Sequence, residues 1–494
     1  MPNTPEQEAA IAAAAGTDSL TLEAVAGSGK TFTLRQMAAA RRVQTLALAF
    51  NKRNADDLQA KLPDYCEART MNALGHRALM GFLTKDRLKL DTSKTSKLVS
   101  EFTKSQPRGE DADDGQWLRL RKLLDGARNA GLVPSTWKGR QAVGFVPDTE
   151  DGWELVADAY DIDLRPGDVE VARRLLCQSN DLALRGTIDF ADQIYLSCVL
   201  RAPFRKFPRL IVDEAQDLSP LQHFMVQRSL APRGQIFLAG DPKQAIYAWR
   251  GASSSSLADL SSLFATRALP LSYCFRCSAS VVEEAQLYVP WIKHPANAIR
   301  GSVQRHSKWG AESIPPGSAI LCARNAPLVK LAFELIRARR GIQMLGRDFG
   351  AGLKALIKRS KAQSIAQLEG WLDTYEQSER LKALAKFNEA KADRVSDQCD
   401  SIRALCEDAR DVDDLLQIIE TLFSKESRDI TLATLWKAKG MEWPNVFYVD
   451  NWQLPPKSAE EGSTAFEQSL NAKYVGVTRA QENLHYVDSS RFGT

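Results

Sequence analysis

The chain has 494 residues, 44% of them hydrophobic and 26% charged, with a formal net charge of +4. That balance suits about three or four folded units and excludes collagen-like, low-complexity and wholly disordered chains. No run approaches the roughly 18 consecutive apolar residues of a membrane span, and the Ala-rich start lacks the basic region and long apolar core of a secretory signal. Eight cysteines are too few for a disulfide scaffold at this length, so a reduced, cytoplasmic setting is expected.

Along the chain, β-rich runs predict strands at Leu20–Ala24, Thr45–Phe50, Leu210–Val212, Ile236–Ala239, Ala319–Cys322, Ile430–Leu435, Val446–Val449 and Leu484–Val487. Several are continuously apolar, as parallel strands buried on both faces must be. Helical patterns separate them, which is the α/β signature. From about 90 to 185 and from about 330 to 428 the pattern is instead helical and charged. Within the second stretch, Leu368, Trp371, Leu372 and Tyr375 share one helix face and read as core. Two α/β cores, each interrupted by a helical insertion, are expected. Charge is uneven: residues 85–140 carry 13 Lys/Arg against 8 Asp/Glu, residues 330–361 carry 9 against 2, and residues 369–420 carry 7 against 14. The basic segments fit either solvated helix faces or the lining of a phosphate-binding channel.

Ala24-Val-Ala-Gly-Ser-Gly-Lys-Thr31 follows the first strand and precedes a helical run. Gly27 and Gly29 let the backbone fold tightly enough for N–H groups to cradle phosphates at a helix N-terminus. Lys30 then reaches the β/γ-phosphates and the Thr31 hydroxyl ligates Mg²⁺. Ala24 stands where the general phosphate-loop pattern has glycine. Leu210-Ile-Val-Asp-Glu-Ala-Gln-Asp217 is an apolar strand ending in two adjacent carboxylates. Asp213 suits the Mg²⁺ shell and Glu214 suits polarising an attacking water. Together the two motifs point to a nucleoside-triphosphate hydrolase.

These blocks, followed by Gly240-Asp-Pro-Lys-Gln-Ala-Ile-Tyr-Ala-Trp-Arg-Gly251, resemble superfamily 1 DNA helicases of the UvrD/Rep/PcrA type. Cys274-Phe-Arg-Cys277, Thr434-Leu-Trp-Lys-Ala-Lys-Gly-Met-Glu442 and Tyr474-Val-Gly-Val-Thr-Arg-Ala480 continue the series in family order. The resemblance implies two RecA-like parallel-sheet cores. Residues 1–89 and 186–268 would form the first core, interrupted by an insertion over 90–185. Residues 269–335 and 428–494 would form the second, interrupted by a reduced insertion over 336–427.

The resemblance also implies roles. Gln7 reads the adenine edge, and Phe275 stacks on the base where tyrosine is usual. Ala26, Gly27, Ser28, Gly29, Lys30 and Thr31 hold the phosphates, with Thr31 and Asp213 on the metal. Gln244 senses the γ-phosphate, Arg276 and Arg479 reach it from the second core, and Gly440 and Glu442 supply backbone and ribose contacts. ATP would lie between the cores and draw them together.

On the DNA side, Tyr247, Trp249 and Arg250 place two rings and a cation within four residues, the chemistry of a single-strand stacking platform. By resemblance Trp249 is the base-stacking residue, and Phe50, Asn51, Thr70, Asn72, His76 and Trp436 fall in DNA-contacting blocks. Phe50 and Tyr247 fit equally well as core aromatics. Asp189-Phe-Ala-Asp192 resembles a family block and reads as a structural lock. The chain departs from the family at Asn72 and Trp436, where histidine is usual, and at Asn471, where arginine is usual; Asn471 resembles the F-box DNA helicase branch and phage-type relatives.

Cys274 and Cys277 form a CxxC with no second pair at metal spacing, and the histidines are scattered, so no metal cluster is expected. The function implied is an ATP- and Mg²⁺-dependent motor on single-stranded DNA and its junctions with duplex, of 3′-to-5′ polarity, away from membranes. A DNA-stimulated ATPase serving a separate nuclease or repair factor stays open as the alternative, and an RNA motor ranks last. The chain runs about 14 residues past the last block, so neither a partner-binding tail nor a nuclease domain is expected after it.

Overall fold

The continuously apolar runs of the sequence are inner strands of two six-stranded parallel sheets. A computed structural model describes residues 2–49, 51–83, 88–105, 116–160, 162–246, 255–385, 389–423, 429–457 and 459–493. The chain divides into two compact units, one of Met1–Ala24 with Gly29–Leu271 and one of Val25–Ser28 with Ser272–Thr494.

The first unit contains β1 (Leu20–Ala24), β2 (Thr45–Ala49), β3 (Cys66–Thr70), β4 (Lys89–Leu90), β5 (Thr187–Ile188), β6 (Phe207–Val212), β7 (Leu230–Gly240) and β8 (Arg267–Leu271). Its main sheet runs β3-β2-β6-β7-β1-β8, and β4 pairs with β5 separately. Every ladder is parallel. Leu48 sits opposite Val212, and Glu23 opposite Gly240. The residues just beyond β1, β6 and β7 therefore emerge at one carboxyl edge of the sheet, where open α/β sheets hold ligands.

Helices Lys94–Ser105, Gln116–Ala130, Glu150–Ala159 and Asp168–Leu184 make up the insertion of this unit. They share one apolar core with Leu79 and Leu83 of helix Met71–Leu83 and with Leu196 and Val199 of helix Phe190–Val199. A buried charge cluster crosses that junction. The Arg128 guanidinium donates to both oxygens of Asp189, at 3.0 and 2.8 Å, and Lys94 ion-pairs with Asp192. Thr95 donates to Asp189 at 2.7 Å, and Asp189 also accepts from the Asp192 N–H as helix cap. Lys94, Arg128 and Asp192 are at most 2% exposed. The Asp189–Asp192 block is thus a structural lock, each buried charge satisfied by an opposite one.

The second unit contains β9 (Ser302–Arg305), β10 (Ala319–Cys322), β11 (Ile342–Met344), β12 (Ile430–Thr434), β13 (Trp443–Val449) and β14 (Ala480–Val487), in the order β11-β12-β10-β13-β14-β9. β11 lies inside the segment 336–427 expected to be all insertion. Three residues are too short to register a period in sequence, so the helical part proper begins at Arg347 and ends at Leu422. Its helices share the core of the sheet: Leu353, Leu368, Leu372, Ile402 and Ile419 cluster with Ile320, Leu328 and Phe447. Trp371 and Tyr375, on the face expected to be core, stack 4.9 Å apart against this cluster. Asp397 of the insertion caps helix Asn325–Arg337, accepting from the backbone N–H groups of Asn325 and Ala326, each at 2.9 Å. Among the described residues no helix is long and apolar enough to cross a membrane.

Candidate nucleotide site and nucleic-acid interface

The loop after β1 turns into helix Lys30–Ala39 through Gly29, whose φ of 77° a side chain would resist. No side chain caps that helix. Its first N–H groups therefore point at whatever lies beyond the end, an arrangement that suits an anion. Ser28 is 2% exposed and its hydroxyl has no hydrogen-bond partner. A buried orphan hydroxyl in a glycine-rich turn fits a phosphate oxygen as its missing partner.

The two carboxylates follow β6. Asp213 is held by its N–H donating to Leu48 O at 3.0 Å, and Thr31 Oγ1 donates to Asp213 Oδ2 at 2.9 Å. Lys30 Nζ lies 3.4 Å from Glu214 Oε1. Burial pushes the Asp213 carboxyl up to about 6, the Glu214 charge adds to the rise, and Lys30 opposes it. Glu214 itself has φ 54° and ψ 41°, a left-handed conformation that a non-glycine residue holds only when its surroundings enforce it. Among the described residues no three His, Cys, Asp or Glu side chains converge as a ligand set. Thr31 and Asp213 fit a Mg²⁺ whose remaining ligands come from phosphates and water.

A polar chain runs on from Glu214. Gln216 donates to Glu214 Oε2 at 2.6 Å, and its own carbonyl accepts from the Asp241 N–H at 3.1 Å. Gln244 donates to Asp241 Oδ2 at 2.6 Å. Gln216, Asp241 and Gln244 are 1, 2 and 7% exposed. A Cβ on Gly240 would come within 2.6 Å of Gln216 Oε1, so this position has no room for a side chain. The sequence alone assigns no role to Gln216 or Asp241. The available signal is an amide lodged between acidic residues at the ends of β6 and β7.

Gln7 is buried, and its carbonyl accepts from the Thr4 N–H at 3.0 Å as half of a capping box. Its amide nitrogen lies 3.3 Å from where a Gly29 Cβ would stand, and the Phe32 Cβ lies 3.9 Å from the same point. Phe32 is 41% exposed, with Arg35 packed on its ring at 5.4 Å. Phe32, an exposed ring in the first turn of helix Lys30–Ala39, is a second residue the sequence does not single out.

In the second unit Arg276 ion-pairs with Glu442, while Phe275 is half-buried. Arg479 is 1% exposed and donates to the carbonyls of Val475 and Met441, at 2.9 and 3.0 Å. Burial, then the charge of Arg276, brings its guanidinium down to about 10. Gly440 has φ 83°.

The residues expected on DNA have local structural work as well. Asn51 caps helix Lys52–Gln59, and Thr70 Oγ1 accepts from the Ala73 N–H at 3.1 Å. Asn72 donates to Phe190 O at 2.8 Å, and His76 Nδ1 lies 3.3 Å from Gln193 Nε2. Phe190, joined to Asn72 by that bond, is 54% exposed. Trp436 is half-buried. Phe50, Tyr247, Trp249 and Arg250 lie outside the described residues.

The profile of the UvrD/REP helicase N-terminal domain matches residues 3–265, more than half of the chain. The chain belongs to the UvrD/REP helicase family. Among similar proteins, F-box DNA helicase protein 1 of Schizosaccharomyces pombe is 23% identical over 94% of this chain and 55% of its own length. ATP-dependent DNA helicase UvrD2 of Mycobacterium tuberculosis is 26% identical over 56% of this chain and 46% of its own. The chain thus spans about half the length of the curated relatives it matches. A solved arterivirus helicase, nonstructural protein 10, aligns over 97% of this chain at 12% identity with a TM-score of 0.35, too loose a likeness to carry an argument. In this UvrD/REP family member the ordered motif blocks coincide with the ends of β1, β6 and β7, so the resemblance drawn from the blocks holds at the level of the family.

Proposed function

We propose that the chain is an ATP- and Mg²⁺-dependent single-stranded DNA translocase and helicase, running 3′ to 5′ and acting in repair, recombination or replication. The convergence of Lys30, Thr31, Asp213 and Glu214 at one sheet edge carries the reading. The family match and the relatives named as DNA helicases support it.

Bound Mg²⁺ would draw electron density from the β- and γ-phosphates and neutralise charge as the terminal bond breaks. Thr31 and Asp213 would hold it. Lys30 neutralises phosphate charge, and Glu214 orients the water and receives its proton. The Ser28 hydroxyl and the helix N-terminus fix the phosphates; Gln7, Phe32 and Phe275 hold the base. Arg276 and Arg479 bring cations to the transferring phosphoryl group. Gln244, linked to Glu214 through Gln216 and Asp241, couples hydrolysis to the segment that follows it. That segment, with Tyr247, Trp249 and Arg250, would stack on bases, joined by Phe50, Asn51, Thr70, Asn72, His76, Trp436 and the exposed Phe190. Single strands and junctions with duplex are the partners proposed. A reducing, cytoplasmic setting is proposed from the low cysteine count for a chain of this length.

The test is ATP hydrolysis with and without single-stranded DNA, comparing the intact chain with Lys30→Ala and Trp249→Ala. Strong stimulation, abolished by the first change and uncoupled by the second, is expected. Turnover that is absent or indifferent to DNA sinks the motor reading. A second reading, a DNA-stimulated ATPase subunit serving a nuclease, is favoured by the small insertion packed into the second core. Strand separation by the purified chain alone decides against it.

A further inference from the structure

Arg209 stands near the amino end of β6, the strand that leads into Asp213 and Glu214, and it is 0% exposed. It sits opposite Gln235 of β7 in the parallel ladder. Its Nε donates to Gln235 Oε1 at 2.9 Å, and its Nη1 donates to the carbonyls of Ala38 and Arg41 at 3.4 and 3.1 Å. The guanidinium also lies over the Phe237 ring, 5.0 Å from its centroid. Gln235 is held in this orientation because its amide nitrogen donates to the carbonyls of Gly16 and Asp18, at 3.2 and 2.8 Å. A second cation shares the same oxygen: Arg41 Nη2 donates to Gln235 Oε1 at 3.3 Å. The two guanidiniums therefore stand next to each other. Each keeps one buried donor, Arg209 Nη2 and Arg41 Nε, without a hydrogen-bond partner.

Among the described residues no carboxylate ion-pairs with or hydrogen-bonds to either arginine; every acceptor they reach is neutral. Asp64, 3.7 Å from Arg42, is exposed. Tyr65 and Cys66 lie within reach of the Arg209 charge, but burial raises both above their ordinary values, so both stay neutral at pH 7. The carbonyl end of helix Lys30–Ala39 supplies roughly half an elementary charge against two whole cations. Taking a cation out of water without an opposite charge is costly, and a buried donor without an acceptor adds to the cost. An anion answers both. The donor count selects its kind. Two N–H groups cannot satisfy the four oxygens of a buried phosphate, whereas a spherical monovalent ion needs no fixed set of donors. We propose that Arg41 and Arg209 bind one halide ion, chloride in a cell, held by Arg41 Nε and Arg209 Nη2 at the sheet edge opposite Asp213 and Glu214. The ion enters past Arg41, which is half-buried, since Arg209 is sealed. It ties the last turn of helix Lys30–Ala39 to β6, two elements whose other ends carry Lys30, Thr31 and the carboxylates.

The test follows thermal unfolding of the full chain, first dialysed free of halide, in sodium chloride, sodium bromide and sodium gluconate at matched ionic strength. Chloride and bromide should raise the melting temperature by about 2–4 °C and then saturate, and gluconate, too bulky for the site, should not. Arg41→Gln changes a half-buried residue, keeps an amide beside Gln235 and removes one of the two charges. It should fold and lose the halide-dependent rise. Arg209→Met should lose it as well, and if that variant does not fold, Arg41→Gln decides. Crystals grown with bromide should show an anomalous peak within hydrogen-bonding reach of both arginines. Equal melting in chloride and gluconate overturns the proposal. So does a halide rise that survives Arg41→Gln, which would place the ion elsewhere, at the phosphate loop for instance, or bromide found only away from the pair.

Discussion

Thr31 Oγ1 and Asp213 Oδ2 are joined by a 2.9 Å hydrogen bond, so the two oxygens suited to flank a divalent ion already touch. With Lys30 on Glu214 beside them, four side chains from the starts and ends of separate elements meet within hydrogen-bonding range. Asp213→Asn keeps the shape but removes the charge proposed to hold Mg²⁺. Turnover should fall by about 10²–10³-fold while nucleotide still binds through Lys30 and the helix N-terminus. Steady-state hydrolysis beside fluorescent-nucleotide titration checks this, and a variant retaining near-normal turnover rules the assignment out. Chelation of Mg²⁺ from the intact chain should have the same signature.

The chain from Glu214 through Gln216 and Asp241 to Gln244 gives the middle residue a measurable part. Gln216→Leu fills the same space but leaves the Asp241 N–H and the Glu214 carboxylate without their amide. Leaving the buried Asp241 N–H without its acceptor costs about 1–3 kcal/mol. The expected result is a roughly tenfold loss of kcat with KM for ATP nearly unchanged, because nothing that touches the base or phosphates moves. A rise in KM alone would place Gln216 in binding instead.

Much of this was legible in sequence because the informative elements are inner ones. β2, β10, Leu210–Val212 of β6 and Val446–Val449 of β13 are buried and read as continuous or nearly continuous apolar runs, and the glycines and carboxylates proposed for nucleotide chemistry lie at the ends of such inner strands. The edge strands β3, β8, β9 and β11 are polar, short or both, and left no such trace. Gln216 and Phe32 were hidden for a different reason. Their meaning depends on neighbours brought together by tertiary folding, Asp241 in one case and Gln7 in the other.

The Arg128 cluster predicts a large stability effect from a residue far from the chemistry in sequence. Arg128→Met removes a cation that satisfies Asp189 and Asp192 while keeping most of its packing volume. Two buried carboxylates then lose a partner, which typically costs about 3–5 kcal/mol. The first unit should melt several degrees lower, followed by circular dichroism. A change within error would mean that water reaches the cluster.

Phe32 is the test of the base site that does not depend on Phe275. If its exposed ring stacks on the nucleobase, Phe32→Ala should raise KM for ATP about fivefold or more, since each stacked base is worth about 1–3 kcal/mol. The kcat should hold, and Phe32→Tyr should behave as the parent. Equal loss of activity with nucleotides of different bases would point instead to a damaged phosphate helix.

His306 and His485 supply a pH dependence whose sign is fixed. His306 Nε2 and His485 Nδ1 lie 2.9 Å apart, and the His485 ring stacks on Phe447 at 4.5 Å. One ring must donate and the other accept, so both cannot be protonated in this arrangement. Burial first, then the charge of His306, brings His485 down to about 4 from an ordinary 6.5. Between those values the unfolded chain binds a proton that the folded unit refuses. Stability is therefore full above about 6.5 and falls as the pH drops toward about 4. The second unit should lose about 2–4 °C of melting temperature for each kcal/mol so lost. His485→Gln, which can still accept from His306 but cannot titrate, should flatten the melting temperature between pH 7 and pH 5, and a slope equal to the parent's would show that the pair does not govern it.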